Sequence, residues 1–172
     1  MTERTRTLVL DSDTGALSDG DMPVFIIPRE LLINTAEEMS SSVLSFTGRG
    51  MMGIYRMVSR KMGQRIFEMH MPPEAEGKTG MELIHAVFDR FVTSGWGRYE
   101  VNQTSDKSFE VVSRYFWLSE ALKGIDKKPI CAMMEGILVS LFSQAFGGKA
   151  EVKETGCVAL GEEVDTFEVV LK

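Results

Sequence analysis

The chain is poor in the residues that most often carry chemistry. It has two cysteines and two histidines among 172 residues. Two cysteines exclude the disulfide lattice of small secreted domains. His70 and His85 have no partner at metal-ligand spacing, and neither lies near a cysteine in sequence. No nucleophile, base and oxyanion set is legible, so a binding domain is expected rather than an enzyme. No apolar run approaches the roughly eighteen residues of a membrane span. The opening Met-Thr-Glu-Arg-Thr-Arg is not followed by the apolar stretch of a secretory signal. Reduced thiols in a cytoplasmic protein are the resulting expectation. Positive charge is also in deficit, with 19 Lys and Arg against 25 Asp and Glu, a net charge of −6 and a pI of about 5.0. That balance argues against a surface dedicated to nucleic acid. The one basic cluster, Arg56, Arg60, Lys61 and Arg65, reads as the solvated face of a helix.

What is present is ordinary globular composition, 44% hydrophobic and 26% charged, with an unusually high count of 12 methionines. Methionine fills irregular gaps and adapts to varied apolar ligands, and compositional bias explains the count equally well. The length suits one domain with a real core. We expect a single domain over 1–172, with strands and loops at 1–28, a mainly helical part at 29–95, and sheet, helix and a C-terminal hairpin at 96–172.

Along the chain, Thr7–Leu10 and Val24–Ile27 read as short strands, with Asp11–Gly15 and Ser18–Asp21 as loops. Pro28 to Met39 reads as a helix. Met51 to Met62 is a second, with Met51, Ile54, Tyr55, Val58 and Met62 on its apolar face and Gly63 as its stop. Arg65–Met71 fits either strand or helix. Thr79-Gly-Met-Glu82 is a capping box opening a helix to Ser94. Its buried face is Met81, Ile84, Val87, Phe88 and Phe91, with His85 close by. Gly97–Gln103 and Ser108–Leu118 read as a hairpin of strands around Thr104–Lys107. In the second, Phe109, Val111, Tyr115 and Trp117 face one way.

Gly48-Arg-Gly50-Met-Met-Gly53 is a literal G-x-G-x-x-G opening a helix. With a strand at Arg65–Glu68, Glu68 would fall where a ribose-binding acid belongs. A dinucleotide site is therefore one reading. Against it, the preceding strand would be very short and the rest of the chain reads antiparallel. A glycine-rich helix start for close packing is the other reading.

The last forty-odd residues organise the chain. Pro129 suits a first helical position, and Ile130, Met134, Ile137, Leu141 and Ala145 share a face widened by Met133, Leu138 and Phe142. Gly147-Gly148 ends this helix. Cys131 would sit in its first turn, where the dipole favours a thiolate. Two strands follow as a hairpin around Gly161-Glu162-Glu163. Asp165, Phe167, Val169 and Leu171 share one face of the last strand. An aspartate heading an apolar row must be paired or bind a metal. Glu154 and Cys157 have opposite parity, and only a bulge at Gly156 brings them together. By residue type alone the two cysteines read as core residues first and as metal ligands second.

Cys131, Glu154-Thr-Gly-Cys157, Gly161 and Asp165-Thr-Phe167-Glu-Val169 together resemble the C-terminal half of the V4R (4-vinyl reductase) family. That family includes hydrocarbon-sensing activators and is related in fold to Bet3-type tethering subunits. Asp165 stands where the family's last cysteine is expected. The resemblance implies a zinc site at Cys131, Glu154, Cys157 and Asp165, with Asp165 a harder ligand that lowers zinc selectivity and leaves an empty, hydrogen-bonded site as the alternative. It also implies a homodimer and a pocket for an apolar small molecule, for which Met51, Tyr55, Trp117, Met134 and Phe142 are the candidate walls. With no output domain in the chain, a signal would pass to a partner protein. The fold class expected is α+β, an antiparallel sheet of four or five strands with helices on one face. The reading is a ligand-binding or sensory domain. The alternatives are an enzyme of tetrapyrrole metabolism and a structural adaptor of the tethering type.

Overall fold

Period-two alternation in the second half of the chain produces an antiparallel sheet. In the computed structural model the described residues are 8–10, 17–19, 22–24, 57–65, 67–68, 71, 73–93, 96–114, 116, 119 and 131–172. The N-terminal strands β1 (Leu8–Leu10), β2 (Leu17–Asp19) and β3 (Met22–Val24) form a small antiparallel meander. Ser18 and Asp19 were expected in a loop and instead pair as strand. Asp21 lies outside the described residues.

The main sheet holds β4 (Tyr99–Ser105), β5 (Ser108–Ser113), β6 (Ala150–Gly156) and β7 (Asp165–Leu171) in the order β4-β5-β7-β6, every neighbour antiparallel. β5 and β7 are central. Phe109, Val111 and Ser113 lie opposite Val169, Phe167 and Asp165, and all six are buried. The intervening Glu110 and Glu168 point to the other face, as alternation requires. The expected α+β sheet with helices packed on one face is therefore the architecture observed. β5 ends at Ser113 rather than Leu118, and Phe116 beyond it is buried. Tyr115 and Trp117 lie outside the described residues.

Three helices are described. Residues 57–65 are helical (α1), α2 is Gly80–Thr93 and α3 is Ala132–Phe146. Leu83, Ile84, Val87, Phe88 and Phe91 form the buried stripe of α2, and His85 is exposed. α3 is apolar on almost every side because it lies between β6, β7 and α2. Gly147, in the left-handed region at φ 68°, ends it.

α1 departs from expectation in two ways. Val58 and Met62 are exposed together with Met57, while Ser59 and Gly63 are buried. Gly63 does not stop the helix, which continues to residue 65, and residues 67 and 68 are also helical. Its role is close approach: a Cβ on Gly63 would lie 1.9 Å from the Met133 carbonyl oxygen, and one on Gly136 would lie 1.9 Å from that of Arg60. α1 and α3 thus cross backbone to backbone. Arg60 is no solvated bystander, since it pairs with the buried Glu135 at 2.8 Å. A strand at Arg65–Glu68 is also ruled out: Arg65, Phe67 and Glu68 are helical, and Glu68 pairs with Arg65 on the surface. The parallel unit a dinucleotide site would need is missing from the four-stranded sheet. Gly48, Gly50 and Gly53 lie outside the described residues.

Candidate metal centre

Glu154 enters the core because it lies on the buried face of β6, opposite Phe167. The β6–β7 register then shifts: Gly156 lies opposite Thr166, so one β7 step spans two residues of β6. This irregularity falls where parity demands it if Glu154 and Cys157 are to share a side. Cys157 follows the strand in extended conformation (φ −142°, ψ 121°) and leads into a 3-10 turn, Val158–Leu160. Gly161, at φ 99°, closes that turn. The connection is therefore longer than the expected Gly161–Glu163 turn. Asp165 opens β7, opposite Ser113.

Cys131 is the N-cap residue of α3, with φ −79° and ψ 30°, so the helix starts at Ala132, three residues later than a start at Pro129 implies. Its N–H donates to Glu154 Oε2 at 3.1 Å. Its thiol lies 3.7 Å from Asp165 Oδ1, which also accepts the Val158 N–H at 2.8 Å. Ligand atoms of Cys131, Glu154, Cys157 and Asp165 all lie within 4.8 Å of one another. None of the four residues is more than 3% exposed.

Ser119 was not foreseen. Its Oγ stands 2.5 Å from Asp165 Oδ2 and 2.9 Å from the Phe116 carbonyl oxygen. A serine hydroxyl has one proton to donate. Both contacts are hydrogen bonds only when Asp165 carries a proton of its own. Electrostatics agree. Burial raises the Asp165 carboxyl, against the opposing pull of Ser119 and the Val158 N–H. Burial and the Cys157 side chain push Glu154 up to about 8. The Cys131 thiol stands well above its ordinary value through its bond to Cys157 and its burial. The dipole-activated thiolate expected at this helix start is therefore not what forms. Desolvation and neighbouring carboxyls outweigh half a charge of helix dipole.

Metal ligands bind in their deprotonated forms, so a cation entering this cluster would displace protons from it. The donor set of two sulfurs and two carboxylates suits a tetrahedral divalent ion, and closure from water is the mark of a structural site. Glu154 Oε1 is buried without a hydrogen-bond partner, an orphan that a cation would satisfy. The residues present fit a bound metal ion.

Around them stands a second set that sequence reasoning passed over. Glu135 Oε1 accepts the Glu154 N–H at 3.0 Å, and Arg60 donates to Glu135 and to the Val152 carbonyl. A lone acid in the apolar run from Ile130 to Phe142 was the available signal for Glu135. Of the pocket candidates, Met134 and Phe142 are fully buried, Phe142 against Phe109 and Phe146. Met51, Tyr55 and Trp117 lie outside the described residues. Phe88, Phe91, Trp96 and Tyr99 form an aromatic group that sequence reading did not assemble.

Residues 119–171 match the V4R domain family. No curated protein sequence matches the chain. Among solved structures, the phenol-responsive sensory domain of the transcription activator PoxR, determined with phenol, is similar at a TM-score of 0.69 and 14% identity, over 95% of this chain and 84% of that one. Trafficking protein particle complex subunit 3 from Naegleria fowleri, covalently bound to palmitic acid, is similar at 0.60 and 15% identity, over 84% and 95%. A vinyl-4-reductase family protein from Methanocaldococcus jannaschii is similar at 0.54 and 16% identity, over 87% and 84%. At these identities the likeness concerns the fold. No described helix is long and apolar enough to cross a membrane. Residues 119–171 thus match the V4R domain family, Cys131, Glu154, Cys157 and Asp165 all fall inside that stretch, and the chain shares its fold with these three structures.

Proposed function

We propose that the chain, 1–172, is one small-molecule-binding domain of sensory type, in which Cys131, Glu154, Cys157 and Asp165 hold a zinc ion. The observation that carries the metal reading is the convergence of four buried donors, one of them with an orphaned oxygen. When bound, zinc would supply strong bonds tying the start of α3, the β6 bulge and the start of β7 into one unit. The protein's own part is to bring two thiols and two carboxyls together and shed their protons as the ion enters. A structural role follows from the closure of the site, which leaves no solvent-facing position for a substrate.

The ligand reading is supported by the V4R match and by a fold shared with a phenol-responsive sensory domain. The ligand we infer is an apolar or aromatic small molecule, such as a hydrocarbon. Met134 and Phe142 would form part of its surroundings, together with Met51, Tyr55 and Trp117. Homodimerisation and passage of the signal to a partner protein belong to the same proposal, and the exposed Met57, Val58 and Met62 on α1 support it. Two free cysteines suit a reducing, cytoplasmic setting.

Elemental analysis of untagged protein purified without chelator, with denaturing mass spectrometry of released small molecules, tests both halves. About one zinc per chain, lost in Cys157→Ser, is the expected result. Metal-free protein with two reactive thiols after denaturation, still metal-free after incubation with zinc, would overturn the metal half. No co-purified compound, and no thermal stabilisation by phenols or alkylbenzenes, would overturn the ligand half.

A further inference from the structure

Among the described residues β6 is the edge of its sheet, with a strand neighbour on one side of its backbone only. Buried backbone groups need partners, and an uncovered edge is a liability. In an antiparallel strand the carbonyl of one residue and the N–H two residues on point to the same side. The Val152 carbonyl and the Glu154 N–H stand in that relation, and side chains from two helices meet both. Arg60 Nη2 of α1 donates to the Val152 oxygen at 3.1 Å. Glu135 Oε1 of α3 accepts the Glu154 N–H at 3.0 Å. Arg60 and Glu135 are themselves joined at 2.8 Å, with Glu135 1% exposed.

The pair therefore offers β6 one donor and one acceptor, as a fifth strand would. It does so at the residue where the bulge begins. Both ends of Glu154 are consequently tied to the beginning of α3, its main chain to Glu135 and its carboxylate to the Cys131 N–H. The close crossing at Gly63 and Gly136 brings α1 near enough for Arg60 to take part.

We propose that Glu135 and Arg60 are positioning residues of the cluster: as a surrogate strand on the free edge of β6, they set where Glu154 and, past the bulge, Cys157 stand. This rests on the cation-binding reading of the cluster. Neither residue is itself a ligand.

The test uses the full chain, metal-free, titrated with Co²⁺ and back-titrated with Zn²⁺. Its variants are R60M, R60K and E135Q. The Co²⁺ absorption bands report how many thiolates bind and whether the site is tetrahedral. R60M removes both arginine bonds, and E135Q breaks the link to Arg60. Each is expected to weaken Co²⁺ affinity by about 10–100-fold, the usual effect of losing an outer partner of a ligand. R60K, which keeps a cation for Glu135, is expected to recover part of the loss. A second readout needs no metal. Amide exchange at Glu154 in the metal-free protein should accelerate in E135Q and R60M, while Val169 of β7 keeps its protection.

Variants that lose thermal stability but bind Co²⁺ as tightly as wild type, with Glu154 exchange unchanged, would overturn the proposal. Should wild type bind neither Co²⁺ nor Zn²⁺, the cation reading fails. The exchange arm then decides whether the pair holds β6: selective acceleration at Glu154 supports it and unchanged exchange refutes it. Should E135Q not fold, R60M and R60K carry the test, at a side chain that is 42% exposed.

Discussion

Replacing Gly136 by alanine should destabilise the protein, although alanine is the better helix former. In an exposed helix interior the exchange gains about 1 kcal/mol. Gly136 instead faces α1, and its Cβ would lie 1.9 Å from the Arg60 carbonyl oxygen, 2.8 Å from the carbonyl carbon and 3.0 Å from Cα. To bring the nearest contact to even 3.0 Å the helices must part by about 1.1 Å. The obstacle is backbone, so no side-chain rotation relieves it. Overpacking of this kind costs about 1–3 kcal/mol, occasionally more. Parting the helices also loosens the Arg60 bond to Glu135, and a buried charge that loses its partner costs about 3–5 kcal/mol. Partial loss of that bond, set against the propensity gain, leaves a net destabilisation of about 2–4 kcal/mol. With a urea m-value of about 2 kcal/mol/M, the unfolding midpoint of metal-free protein should fall by about 1–2 M. Gly63→Ala should act in the same direction, since its Cβ would meet the Met133 oxygen at 1.9 Å. A midpoint at or above wild type in either variant would refute the close crossing and the reasoning built on it.

Further outcomes follow from the cluster and the core. Metal-free protein should lose stability as pH rises from about 4.5 to 8, because folded Glu154 keeps its proton up to about 8 while the unfolded chain releases it near 4.5. The slope approaches about 1.4 kcal/mol per pH unit for one proton. Urea melts at several pH values should show it, and Glu154→Gln should flatten it. Adding zinc at about one hundred times its dissociation constant should stabilise wild type by about 2.7 kcal/mol and release protons, measurable by thermal shift and in weakly buffered solution; Cys157→Ser should show neither response. Asp165→Cys should raise zinc affinity relative to Mg²⁺ or Mn²⁺, because a thiolate replaces a hard oxygen, and competition titration reads the ratio. Phe142→Ala, removing a fully buried ring packed on Phe109, should cost about 3–5 kcal/mol in denaturant unfolding.

Much of the second half was legible because its cues are local. α2 follows from its apolar stripe, and α3 from its run of apolar residues closed by Gly147. β7 follows from the alternation of Asp165, Phe167 and Val169. The candidate site was legible through a conflict: an acid heading an apolar row, and Glu154 at the wrong parity to Cys157. What failed depended on neighbours. Val58 and Met62 look like core on a helical wheel, yet α1 presents Ser59 and Gly63 to α3, because contact between two backbones selects small residues over large ones. Gly63 looks like a stop in the sequence because an isolated glycine is ambiguous between termination and close approach. Cys131 looks like a dipole-activated thiol in the sequence because the carboxyls and the second thiol around it come from other elements. Ser119 carries no local signal at all.

Local patterns in the chain specify the elements of the C-terminal part, the antiparallel pairing of its strands, and the four residue types able to share an ion. Periodicity, caps and turn residues act within a few positions, so they can be read in a line. Tertiary structure alone decided that the two thiols and two carboxyls are shut from water, with burial raising both carboxyls above their ordinary values. It also decided that two glycines bring α1 and α3 into backbone contact, and that Arg60 and Glu135 stand in for a strand at the edge of β6. Those outcomes depend on burial and on distances between residues 75 and more positions apart, such as Arg60 and Glu135 or Val152, and no local pattern encodes them.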